Sequence, residues 1–270
     1  MSPQSAWRML RESKVVDLSH PYRVGMPQSP NHPPFRLALE RRHGDLVRGD
    51  GASAANELIV IGGHVGTHVD ALAHVSKDGR VHGGQSAHAL QSNRGFAHLG
   101  IDEFEPYVGR AVLLDVTAVH GVASLPPGYE VTVDDLERAQ RDAAVEIEPG
   151  EVILVGTGWS RNWGDKALFT GQELGAPGPG PAAAHWLAEH RPRAVGAETI
   201  AFEHIPAGDG HALLPVHSML LVERGVNIVE TMNLAPLIDL GVTEFGLVLN
   251  PLNVVGATGG PVRPLAVVPA

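Results

Sequence analysis

Four short apolar runs set what this chain can fold into. Ala111-Val112-Leu113-Leu114, Val152-Ile153-Leu154-Val155, Ala194-Val195-Gly196-Ala197 and Asn227-Ile228-Val229-Glu230 are too short for helices, and β-branched residues recur in them. They read as strands of a sheet core, the first two buried on both faces. Helical stretches separate them. Thr132 can cap a helix that Asp134 and Asp135 support at its positive end and that runs to about Val145. Pro181 to His190 carries Pro in its first turn, and Pro215 to Arg224 starts on Pro and stops at Gly225. Phe245 to Leu249 adds another strand. Before residue 116 the pattern is strand-rich: Val15–Leu18, Phe35–Leu39, the run Glu57–Ile61 that Gly62-Gly63 ends, and Gly109–Val116. The 32 glycines and 21 prolines fit the many turns this requires. Mixed α/β (α+β) architecture around a mixed β-sheet is therefore expected. With no repeat, low-complexity tract or linker in view, residues 1–270 read as one domain.

Charge and composition exclude several functions. At −10 the chain lacks the basic stripe that phosphate binding needs, and Arg41, Arg42 and Arg48 sit among Asp45 and Asp50, so no nucleic-acid partner is expected. No apolar run reaches the roughly 18 residues of a membrane span, and no secretion signal is read at the start, so a cytoplasmic protein without a membrane partner is expected. The absence of cysteine removes thiolate ligands and a cysteine nucleophile. No Gly-x-Ser-x-Gly elbow supports serine chemistry, and Gly156-Thr157-Gly158 lacks the rest of a nucleotide fingerprint.

Chemistry concentrates in His64-Val65-Gly66-Thr67-His68-Val69-Asp70, with His74 four residues on. Val65, Gly66, Thr67 and Val69 are poor helix formers together. In an extended segment His64, Gly66, His68 and Asp70 share one parity and one face. That face offers two imidazoles and a carboxylate, with Gly66 leaving room between the histidines. Two nitrogens and one oxygen suit zinc, manganese or iron and leave positions for water. His74, in the apolar setting Leu72-Ala73-His74-Val75, is placed to move protons.

The segment Gly63 to His74 resembles the signature of the cyclase family, His-x-Gly-Thr-His-x-Asp-x-x-x-His. Every fixed position is matched, although Leu72 stands where the family commonly carries Pro. Asp17-Leu18-Ser19 with Met26-Pro27, Thr157-Gly158-Trp159 with Trp163, Val216 to Leu221 leading to Glu230, and Gly256 to Pro264 extend the resemblance over nearly the whole chain. It implies a swivelling β/β/α fold and a homo-oligomer, a dimer or tetramer. It further implies a divalent ion (Zn or Mn) on His64, His68 and Asp70 with His74 as acid–base group; in some members a later His and Glu, here His217 and Glu230, complete a two-metal site with the shared Asp, and in others the scaffold holds a single ion. From the residues alone, His217 lies in the first turn of a helix, where a neutral ring is favoured, and is open to a ligand or a structural role. Glu230 ends an apolar strand and needs a partner, which a metal or Arg263 could supply.

The remaining candidates have blander readings. Glu198 could wall the site or make structural hydrogen bonds. His82, His88 and His98 read as exposed or capping, and His204 and His211 flank a turn at 206–210. Trp159 and Trp163 read as core or interface. The expected activity is metal-dependent hydrolysis of an amide C–N bond in a small molecule, a cyclic amide or an N-acyl or N-formyl aromatic amine. The rivals are a metal-dependent lyase or dehydratase on the same scaffold, and a non-catalytic metal- or ligand-binding protein.

Overall fold

The computed structural model describes residues 3–208 and 210–269. Its centre is a mixed sheet of nine strands, in the order Lys14–Asp17, Leu265–Val268, Glu244–Leu249, Tyr107–Asp115, Val152–Gly156, Ala194–Ala197, Asn227–Glu230, His68–Asp70, Gly259–Pro261. The strands at 107–115, 152–156, 194–197 and 227–230 run parallel, and the flanking pairs are antiparallel. The apolar runs of the sequence thus form the middle of the sheet, covered on both faces as parallel strands require.

One face carries the helices. Val112, Leu114, Ile153, Val155, Val195 and Ile228 pack there against Leu136, Leu187 and Leu220. Leu113, Leu154 and Val229 point to the other face and meet Phe104, Met232, Leu237 and Phe245. The helix Val133–Ala143 begins with a complete capping box between Thr132 and Asp135. It ends two residues before Val145, because Ala144 turns left-handed at φ 52°. The helix expected over 215–224 is helical throughout but not uniform: Pro215–His217 is α and Ser218–Arg224 is π-helical, stopped by Gly225. A π turn inserts an extra residue and is frequent at functional sites.

The largest difference from the sequence reading lies at residues 64–70. Only His68–Asp70 is a strand, and 64–67 is a turn. Gly66 has φ +68°, and a Cβ there would lie 2.7 Å from the Tyr22 ring. Its lack of a side chain therefore serves the turn and the Tyr22 contact rather than opening space between the two histidines. We expect Gly66→Ala to destabilise the protein by at least about 1–2 kcal/mol, read from the urea unfolding midpoint. An unchanged midpoint would show that the turn and the Tyr22 ring adjust freely.

Candidate metal and catalytic centre

The sheet edge builds the site. His68 pairs across to Glu230 on one side and Pro261 on the other, and Asp70 pairs to Ile228 and Gly259. Directly opposed residues of an antiparallel pair share a face, so His68, Asp70 and Glu230 come together. Val69 and Val229 point the other way into the core. His217 reaches the same place from the start of its helix. Its Nε2 lies 3.6 Å from Asp70 Oδ2 and 3.0 Å from Glu230 Oε1. His68 Nε2 lies 3.3 Å from both Asp70 Oδ1 and Glu230 Oε2. His64 comes in from the turn, with Nδ1 2.7 Å from Asp70 Oδ1 and Nε2 2.9 Å from Thr258 Oγ1. His74 stacks on His64 with ring centres 3.8 Å apart, and 6.2 Å from His217. All six residues singled out in the sequence therefore meet at one place.

Hydrogen bonds fix which nitrogens face inward. His68 Nδ1 is 2.7 Å from the Gly66 carbonyl oxygen, so it donates there and leaves Nε2 as the inward atom. His217 Nδ1 is 2.6 Å from Glu203 Oε1, which also accepts the His217 backbone N–H. At this point three of the buried polar atoms make no hydrogen bond: His68 Nε2, Asp70 Oδ2 and Glu230 Oε1. Short approaches without bonding geometry, all aimed at one point, leave a place that a cation would satisfy. Two groups of side chains can each offer ligand atoms within 4.8 Å of one another: His68, Asp70 and Glu230, and His64, Asp70 and His74.

Charge follows the contacts. Burial pushes the Asp70 carboxyl up, but the His74, His64 and His217 imidazoles outweigh it, so Asp70 sits well below the usual carboxylate range. Glu230 is also lowered: burial and Asp70 raise it, and contact with the His217 and His68 rings prevails. Burial alone would lower His68, yet Asp70 and Glu230 lift it to about 10, and His217 is raised in the same way by Asp70, Glu203 and Glu230. Burial wins at His74, which falls to about 4. Two anionic carboxylates thus demand positive charge at one point, beside a ring that stays neutral.

Some residues of the site escaped sequence reading. Glu203 is 1% exposed and also accepts the Val216 N–H. It stands 14 residues before His217, a separation without periodic meaning, so nothing in the sequence marks it. His32, from the Pro-rich loop, stacks on His64 at 5.2 Å. His211 belongs to this neighbourhood rather than to a plain surface turn: it is partly buried, and its Nδ1 lies 3.4 Å from Ser29 Oγ. Glu198 makes structural hydrogen bonds, accepting from Thr157 and Ser160. His82 and His204 hold the carbonyls of Val222 and Gly128, and His88 and His98 are exposed. Trp159 is core, and Arg263 pairs with Asp17 rather than with Glu230.

The family model Cyclase, described as "Putative cyclase", matches residues 16–204. The chain belongs to the cyclase family. Among curated proteins, this cyclase is similar to the isatin hydrolase of Roseibium aggregatum, 28% identical over 223 residues that make up 82% of this chain and 77% of that one. It is also similar to the kynurenine formamidase of Sphingopyxis alaskensis, 25% identical over 258 residues, 93% and 96% of the two chains. A solved structure called a novel cyclase superposes with a TM-score of 0.84 at 30% identity, covering 99% of this chain and 93% of that one. Isatin hydrolase A from Ralstonia solanacearum shares the fold, with a TM-score of 0.75, 24% identity and 98% and 96% coverage. These relatives support a hydrolase of the cyclase family. The matched stretch contains His64, His68, Asp70, His74 and Glu203, whereas His217 and Glu230 lie beyond it.

Beneath the site, His20 is 5% exposed and stacks on Trp163 at 4.1 Å, and its Nε2 has no partner. Burial depresses it to about 4, against about 6.5 for an exposed ring. Protonation therefore favours the unfolded chain. This contribution to stability is complete above about pH 6.5 and is lost as pH falls towards 4. His20→Phe, which keeps the stacking, should lose less stability between pH 7 and 4 than the wild type, by up to about 3 kcal/mol. Equal losses in urea titrations at the two pH values would show that His20 titrates normally.

Proposed function

We propose that this cyclase, acting as one domain over residues 1–270, binds a divalent ion, zinc or manganese, and hydrolyses the amide C–N bond of a small molecule. The substrate class is a cyclic amide or an N-acyl or N-formyl aromatic amine. The observation that carries the reading is the convergence of the unpartnered His68 Nε2, Asp70 Oδ2 and Glu230 Oε1, with His217 Nε2 beside them. Nitrogen and carboxylate oxygen in that mixture fit zinc and manganese equally. The isatin hydrolase and kynurenine formamidase relatives support the amide bond as target. Among the described residues no helix is long and apolar enough to cross a membrane.

His68, Asp70, His217 and Glu230 would hold the ion, with His64 as the further ligand once its ring exchanges a present contact to Asp70 or Thr258. When bound, a divalent ion polarises a carbonyl and makes water more acidic. The protein's own chemistry centres on His74. Burial keeps its imidazole neutral near pH 7, so it can accept a proton as water adds to the carbonyl carbon. The same burial makes the protonated ring give that proton up readily as the C–N bond breaks, and the departing nitrogen receives it. Stacking on His64 fixes the ring's position. Glu203 accepts from His217 Nδ1, which holds His217 Nε2 bare towards Asp70 and Glu230.

The reading is tested by measuring metal content together with turnover of N-formylkynurenine, isatin and simple cyclic imides in ¹⁸O-labelled water. Stoichiometric metal and label in the product of one substrate are expected. A metal-free, fully active protein would overturn the reading, and product without label would point to a lyase. In His74→Asn we expect retained metal and a fall in kcat of at least about 100-fold, and full activity would remove His74 from its role. Separately, Glu203→Gln should weaken metal binding about 10- to 100-fold by calorimetry. Unchanged affinity would mean that Glu203 serves folding alone.

A further inference from the structure

His211 Nε2 is buried without a hydrogen bond, and neither metal binding nor proton transfer at His74 uses it. The ring is held from its other side. Ser29 is 3% exposed, and its Oγ lies 3.4 Å from His211 Nδ1 while accepting the Asn31 N–H. The Ser29 hydroxyl proton needs an acceptor of its own, and Nδ1 is the one this contact offers. Burial keeps the imidazole neutral. With Nδ1 accepting, the single ring proton sits on Nε2. The buried atom is therefore an N–H donor that faces no acceptor, a state that folded proteins rarely leave unanswered.

Position indicates what answers it. Glu230, His217 and Glu203 are the charged groups whose fields reach the ring. Ser29 belongs to the loop that stacks His32 on His64 at 5.2 Å, and His217 follows His211 by six residues at the start of its helix. The donor thus borders the metal centre and bonds to none of its side chains. A cavity of about 220 Å³ lies against the imidazole, walled by Pro30, Asn31, Gln172, Gly208 and Gly210, with room for a small ring compound. A neutral N–H suits a carbonyl oxygen, and it brings no charge to balance a carboxylate. The ion and His74 act on the carbonyl that is cleaved, so the oxygen at His211 is a second one.

We propose that His211 is a specificity-determining residue whose Nε2–H donates to a second carbonyl oxygen of the substrate, beside the amide that is cleaved. This rests on the amide-hydrolase reading and narrows its substrate class to compounds with two carbonyl groups, such as ring diones and imides, over simple lactams and anilides.

The test compares isatin with 2-oxindole, the same ring system with a methylene in place of the second carbonyl. Binding to the manganese-loaded wild type, His211→Phe and His211→Gln is measured by calorimetry, with cleavage and metal content followed in parallel. The wild type should bind isatin at least ~10-fold more tightly than oxindole. His211→Phe should hold the same metal and lose that preference, and His211→Gln, which keeps an N–H donor, should recover part of it. Equal binding of the two compounds by the wild type, or binding of neither, would overturn the proposal, as would a preference that survives in His211→Phe. Should that variant not fold, the ¹⁵N-labelled wild type decides: the His211 Nε2–H resonance should shift with isatin and not with oxindole, and equal shifts overturn the contact. The two readings fail separately. Isatin bound with the preference but left uncleaved supports the role of His211 and counts against the hydrolase reading, whereas isatin cleaved without the preference overturns the role of His211 alone.

Discussion

Two carboxylates buried side by side are the constraint on which this structure turns. Asp70 is fully buried, Glu230 is 4% exposed, and neighbouring strands bring them together. Taking one such charge out of water costs several kcal/mol, and a second of the same sign adds repulsion. The surroundings answer with imidazoles: His64 on Asp70, His68 on both, His217 on both. The strand register, the turn at Gly66 and the helical turn Pro215–His217 can all be understood as the geometry that delivers these rings. Even so, three buried atoms of the site keep no hydrogen bond. Protein groups alone do not complete the arrangement.

Rigidity comes from the second layer. Thr67 ties the turn down from several sides: its Oγ1 accepts the His20 N–H and donates to the Thr231 carbonyl, while Tyr22 donates to its backbone oxygen. Asn227 donates to the Asp70 carbonyl, and Glu203 receives three N–H groups from Val216 and His217. The inward-facing nitrogens of His68 and His217 are therefore each backed by a bond on the far side of their own ring. Such support sets orientation more firmly than packing does, since a hydrogen bond to one ring nitrogen determines the role of the other.

How much of this was legible in the sequence depended on distance along the chain. His64, His68, Asp70 and His74 lie within eleven residues and could be read as a group. The parity argument held for His68 and Asp70, which are on a strand. It failed for His64, because positive φ at Gly66 ends the extended conformation. Glu230 was visible as a carboxylate at the end of an apolar strand. Glu203 was not, because only the folded loop after Thr199 carries it to His217. The apolar run at 57–61 announced a strand, but a sequence does not say whether a strand will be covered, and this one stands outside the core. The central strands were legible because burial on both faces leaves a continuous apolar run. The exchange of α for π hydrogen bonds after His217 was not, since side-chain periodicity over seven residues hardly differs between the two.

The same fold fully buries another carboxylate away from the site, and the contrast shows what sets Asp70 apart. Glu198 accepts from the Thr157 and Ser160 hydroxyls and from the Thr157 N–H, all neutral donors, and burial raises its pKa. That is a buried acid satisfied by its neighbours, with no need for a cation. Asp70 is equally buried, yet it is held low because its partners are rings that can carry charge. His74 shows the complementary case. It is close enough to feel Asp70 and Glu230, but His64 and His217 oppose them, and burial decides for the neutral ring. One pocket thus sorts chemically identical histidines by contact alone. Contact with both carboxylates raises His68 and His217, whereas burial lowers His74, whose ring stays neutral and free to exchange a proton.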